Sequence, residues 1–133
     1  MAEKCNSKLV FECDVQEDES IDNFFKKISN NWDSLDFIVH SVAFSDKNEL
    51  KGKYVETTRE NFLNTLNVSC YSLTAVCQRA KELMTKGGQI LTLSYLGAER
   101  VMPHYNVMGI AKSALETSVK YLAEDLGRAK IRI

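Results

Sequence analysis

The stretch Asp36–Val42, D-F-I-V-H-S-V, is nearly continuously apolar, the pattern of a parallel β-strand covered on both faces. A second stretch of the same kind, Gln89–Tyr95 (Q-I-L-T-L-S-Y), lies further along. Between them Phe62, Leu66, Cys70, Leu73, Cys77, Ala80 and Met84 recur every three or four positions, which predicts a long helix from about Thr58 to Met84, closed by Gly87-Gly88. Met108, Ala111, Leu115, Val119, Leu122 and Leu126 repeat that spacing and predict a last helix from about His104 to Leu126, with Gly127 suited to cap it. Ile131–Ile133 begins a further strand. Upstream, Lys8–Val15 (K-L-V-F-E-C-D-V) reads as a short strand. The acids Glu17, Asp18 and Glu19 then precede Ile21, Phe24, Phe25, Ile28 and Trp32, an amphipathic helix with negative charge at its N-terminal end, where the helix dipole favours it. The loop through Asp46, Lys47, Lys51, Gly52 and Lys53 follows the second strand.

Strands alternating with helices predict right-handed crossovers and a doubly wound parallel sheet in a three-layer α/β domain spanning residues 1–133. Ligands of such sheets bind beyond the carboxyl ends of the strands. That rule selects Asp14 and Val15, then His40 to Ser45, then Ser94 and Tyr95.

The chain has 133 residues, 44% hydrophobic and 26% charged, which suits one small globular domain. Seventeen Lys+Arg against eighteen Asp+Glu give a net charge of −1, so no strong field draws it to nucleic acid or anionic lipid. No apolar run approaches the roughly 18 residues of a membrane span, and Met1 to Lys8 lacks the apolar segment of a secretory signal. A soluble, cytoplasmic protein is expected. Cys5, Cys13, Cys70 and Cys77 show no C-x-x-C spacing and are read as reduced, packed thiols, with no metal site. His40 is read as structural and His104 as exposed at a helix start.

Tyr105 and Lys112 are seven residues apart, and two helical turns take about 7.2, so the phenol and the ammonium share a face. A cation within about 6 Å would favour the phenolate and lower the tyrosine pKa. Such pairs are also common on solvated helix faces. This one opens the helix that follows a strand end already assigned to the crevice, and Tyr95 lies at that end.

Four segments, C-D-V at Cys13 to Val15, H-S-V-A-F at His40 to Phe44, L-S-Y-L-G-A-E-R at Leu93 to Arg100 and Y-N-V-M-G-I-A-K at Tyr105 to Lys112, resemble the bacterial enoyl-acyl-carrier-protein reductases of the short-chain dehydrogenase/reductase superfamily. The resemblance runs over essentially the whole chain. Ordinary members of the superfamily carry Tyr and Lys four apart, and the position four before Lys112 is here Met108. The resemblance implies a Rossmann-like fold and reduction of the trans-2 double bond of an acyl thioester by NADH in type II fatty-acid synthesis. It implies that Tyr105 hydrogen-bonds the thioester carbonyl, that Lys112 holds the nicotinamide ribose and that Tyr95 is the second active-site tyrosine. Asp14 and Val15 then meet the adenine, Ser41 and Val42 pass under the cofactor, and Ser45 lies beside the substrate. The family often has Gly at the position of Ala43 and Ala at that of Ser45. Asp14 also suits a turn or helix cap, and Tyr95 a packed aromatic. The implied partner is an acyl-carrier protein bearing the enoyl thioester. Members are homotetramers, and Val107, Ala114, Tyr121 and Ala123 suit contacts between subunits.

None of the six glycines forms a G-x-G-x-x-G array. In the family that loop follows the first strand, and a flexible segment closes over the acyl chain after the last strand seen here. The expectation is therefore an incomplete sheet, lacking its first two strands and its C-terminal part. In the order 3-2-1-4-5-6, the strands at Lys8–Val15 and Asp36–Val42 would not be neighbours. Apolar surface would be left uncovered, and the polypeptide alone is expected to fold poorly and not to bind dinucleotide. A catalytically inactive binding or assembly partner is the rival reading, and 3-ketoacyl reduction a third.

Overall fold

The computed structural model describes residues 2–133. Its centre is a three-stranded parallel sheet of β1 (Phe37–His40), β2 (Gly88–Thr92) and β3 (Ile131–Arg132), in that spatial order. Ile38 pairs with Ile90 and His40 with Thr92, while Gly88 pairs with Ile131. Five α-helices accompany it: α1 (Asp18–Ser29), α2 (Lys47–Lys51), α3 (Arg59–Leu66), α4 (Ser72–Ala80) and α5 (Asn106–Gly127).

The core explains which face the helices take. Ile21, Phe25 and Ile28 of α1, Leu73, Ala75, Cys77 and Ala80 of α4 and Leu115 of α5 bury themselves with Ile90 and Ile131, and Ile38 packs against the same cluster. Side chains alternate across a strand, so these three isoleucines point one way and Phe37, Val39 and Leu91 the other. The second set is exposed, Phe37 at 69% and Leu91 at 57%. The described residues thus form two layers, sheet and helices. The third layer of a doubly wound domain is not built by them.

Several expected elements take a different form. Lys8–Val15 is not a strand, since residues 7–14 carry no regular structure. Leu9, Phe11, Cys13 and Val15 still alternate with exposed neighbours, and Phe11 and Cys13 reach the core, so the segment is extended, but no strand among the described residues pairs with it. The helix expected over Thr58–Met84 is broken into α3, a π-helical turn at Asn67–Tyr71 and α4, and it ends at Ala80. A π turn inserts a residue without disturbing the apolar spacing of three and four enough to be read. Gly87, at φ 84°, sits in the turn that leads to β2. The Lys130 carbonyl oxygen would lie 2.6 Å from a β-carbon there.

The loop after β1 contains α2, four polar residues and Leu50 without an apolar stripe, whose start is fixed by the Asp46 side chain accepting from the Asn48 amide. Helix α5 begins at Asn106, with Tyr105 as its cap, and runs through Gly127, so the cap falls at Arg128. Trp32 lies beyond α1 and is half-exposed. Cys5 is exposed, not packed; Cys77 is buried, and burial pushes its thiol up to about 12.

Among the described residues no helix is long and apolar enough to cross a membrane. No group of His, Cys, Asp and Glu among them is placed to hold a metal ion.

Candidate active site

The carboxyl end of β2 and the start of α5 meet at one place. Tyr95 follows β2 by three residues, and its ring lies 4.9 Å, centroid to centroid, from that of Tyr105, tilted by 57°. Lys112, two turns along α5, is only 6% exposed and donates through Nζ to the Leu93 carbonyl at 2.7 Å. The two tyrosines and the lysine are therefore grouped at the strand tip.

Local sequence accounts for the closeness. The turn Leu96–Ala98 is pinned to α5 by Ser113, whose hydroxyl donates to the Ala98 carbonyl at 2.6 Å. Gly97 and Gly109 face each other: a β-carbon on Gly109 would lie 2.7 Å from the Gly97 carbonyl oxygen, and one on Gly97 would lie 2.6 Å from Cε1 of Tyr105. Two positions without side chains let the turn, the ring and the helix share that space. Ser94 donates to Glu116, a turn beyond Lys112, tying the strand end to α5 a second time.

The electrostatics differ from the expectation for Tyr105. Its pKa is raised, not lowered, first by burial and then by Tyr95. The ammonium of Lys112 is engaged by the Leu93 carbonyl and is itself destabilised, its pKa lowered by burial. Tyr105 is thus held as a neutral phenol, a hydrogen-bond donor at neutral pH. His40 lies beneath this group, its ring nitrogens 3.1 Å from Thr92 Oγ1 and 2.9 Å from Ser72 Oγ, and its pKa is lowered by burial and by Lys112. It joins β1, β2 and α4, the structural part expected of it. His104 is exposed as expected, with φ at 57°.

The other expected residues separate into two places. Asp14, Val15 and Val42 line one cavity of about 430 Å³, together with Phe44 and Val68. One Asp14 carboxylate oxygen accepts from the Gln16 amide at 2.9 Å, so the residue does shape a turn. Ser41 is exposed just past β1. Ser45 is buried, and its hydroxyl bonds Asn61 Oδ1 and Thr65 Oγ1, so its polar atom is taken up within the fold.

Sequence reasoning missed a second cavity, about 330 Å³, walled by Tyr54, Gly97, Met102, Tyr105, Asn106 and Ile110. Tyr54 gives no sequence signal, standing alone between a lysine and a valine. Gly97 and Gly109 were visible only as members of a motif.

The whole chain, residues 1–133, matches the family model described as enoyl-(acyl carrier protein) reductase. The chain belongs to that family. It is 53% identical over all its 133 residues to an enoyl-[acyl-carrier-protein] reductase [NADH] of Rickettsia typhi. The crystal structure of the reductase of Anaplasma phagocytophilum, in complex with NAD, is 61% identical and superposes with a TM-score of 0.97 over 99% of this chain and 51% of that one. The Bacillus cereus reductase, crystallised with NADP+ and indole naphthyridinone, is 50% identical with a TM-score of 0.92, covering 95% of this chain and 49% of that one. The chain spans about half the length of the curated relatives it matches.

Proposed function

We propose that the protein carrying these residues is an NADH-dependent enoyl-acyl-carrier-protein reductase, acting on the trans-2 double bond of an acyl thioester. One observation carries the reading: two tyrosine rings in contact beside a buried lysine at the tip of a parallel strand.

The residues suit both ends of a dinucleotide. Lys112 spends one N–H on Leu93 and has two more donors for a pair of ribose hydroxyls. Asp14 has a second carboxylate oxygen to accept from an adenine amine, and Val15 and Val42 supply apolar cover, with Ser41 beside them. No glycine-rich turn for the phosphates lies among these 133 residues. NADH supplies the hydride when bound. Tyr105, kept protonated by burial, donates to the thioester oxygen on which negative charge develops, and Tyr95 flanks it. A neutral phenol with a raised pKa serves this role directly, because it stabilises an oxyanion by hydrogen bonding before any proton moves. Ser45 would act from behind the wall, holding the loop beside the substrate.

The same reading makes an acyl-carrier protein the partner that presents the thioester, in a cytoplasmic homotetramer. Tyr121, at 73% exposure, is available for a subunit contact, and Ala114 and Ala123 are half-buried. Val107 is fully buried within the chain and is not available.

Tyr105→Phe in the whole protein should lower kcat for a crotonyl thioester about a hundredfold, the usual cost of one oxyanion donor. Lys112→Ala should weaken NADH binding. Wild-type turnover in both variants would overturn the assignment.

A further inference from the structure

Asn106 makes three contacts that the chemistry above does not use. Its side-chain amide nitrogen lies 2.9 Å from the Glu49 carbonyl oxygen, 3.2 Å from that of Leu50 and 2.9 Å from that of Gly52. An amide has two hydrogens, so at least one is shared. The three acceptors are two carbonyls of the last turn of α2 and that of its cap residue Gly52, in the stretch where a helix leaves its carbonyls without intrahelical N–H partners. Asn106 holds them from the first turn of α5, in the left-handed conformation with φ at 39°, one peptide bond from Tyr105.

The clamped segment is tied again from its other side. The Glu49 carboxylate accepts from the backbone amide and hydroxyl of Thr58 and from the Asn61 amide, at 2.8 to 3.0 Å. Residues 50–57 thus form a loop fixed at its base by Glu49, and Tyr54 projects from it into the cavity that Tyr105 and Asn106 also line. If the amide of Asn106 let go, the Tyr54 wall would be free to move relative to Tyr105.

We infer that Asn106 is a positioning residue: its amide clamps the α2 carbonyls and so sets the separation of the Tyr54 segment from Tyr105, and with it the width of the cavity that receives the acyl thioester. The role rests on the reductase reading.

Two substitutions in the whole protein separate the amide from the backbone. Asn106→Gly keeps the left-handed conformation at no steric cost and removes all three contacts. Asn106→Asp keeps the shape and turns the donor into an acceptor facing three carbonyls. For both, kcat/KM for a trans-2-enoyl thioester should fall at least tenfold, mainly through a higher thioester KM, while the KM for NADH stays within twofold. Amide hydrogen exchange over residues 47–56 should quicken in both and stay unchanged around β2. Wild-type kinetics in Asn106→Gly would show that only the backbone conformation matters and would overturn the inference. So would unchanged exchange over residues 47–56. A wild-type protein that fails to reduce any enoyl thioester would instead sink the reductase reading, leaving the exchange result to decide the clamp.

Discussion

The ring of Tyr105 fills the space that a β-carbon on Gly97 would need, with Cε1 2.6 Å from where that carbon would stand. The phenol is therefore located by an absence of side chain on the neighbouring turn as much as by its own helix. The turn cannot back away, because its Gly97 carbonyl already rests against Gly109 and its Ala98 carbonyl is held by Ser113.

Gly97→Ala should consequently push the ring, not the turn. A displacement of about 1 Å at a reacting group can cost about a hundredfold in rate. We expect kcat for a crotonyl thioester to drop by that order with a small change in melting temperature. Gly109→Ala, meeting backbone instead of a ring, should cost stability first. A Gly97→Ala enzyme as active as the wild type would show that the ring tolerates the shift.

Acid should weaken the fold through His40. Burial, with Lys112 adding to it, lowers the His40 pKa below 6.5, so below pH 6.5 the unfolded chain takes up a proton that the folded one refuses. Its contribution is intact above pH 6.5 and is lost as the pH falls from there toward the lowered folded value. His40→Gln, which can still hydrogen-bond to Ser72 or Thr92 but does not titrate, should show a smaller loss between about pH 7.5 and about pH 5.5. Urea midpoints for the two proteins at both pH values test this, and equal losses would assign the acid sensitivity elsewhere.

The tips of β1 and β2 and the face shared by Tyr105 and Lys112 were legible because both follow from period alone: apolar runs mark the strands, and seven residues close two turns. The direction of the Tyr105 pKa was not legible, since it is set first by burial and then by Tyr95, and a seven-residue spacing shows neither; the Lys112 ammonium finds its acceptor in the backbone of Leu93, nineteen positions away. Ser45 looked like a crevice residue by its place after β1, yet its partners Asn61 and Thr65 sit on α3, and no local spacing announces them. Helix α2 did leave a trace in Asp46 followed three residues later by Glu49, a capping pattern without an apolar stripe behind it. The Glu49 side chain turns instead to Thr58 and Asn61, and its pKa is lowered chiefly by the Thr58 hydroxyl.

The uncovered face of the sheet makes the last prediction. Phe37, Val39 and Leu91 are neighbours on that face, and β1 is hydrogen-bonded to β2 alone among the described strands, so an apolar surface adjoins an open strand edge. Such a combination favours edge-to-edge association. The polypeptide of residues 1–133 made by itself should bind an apolar dye and self-associate, and Phe37→Lys with Leu91→Thr should reduce both without loss of helical signal. It should also fail to bind NADH tightly, since Asp14 and Lys112 would hold only the ends of the dinucleotide. A monomer that ignores the dye and binds NADH well would mean that these three side chains are covered in solution and that the phosphates find donors within these 133 residues.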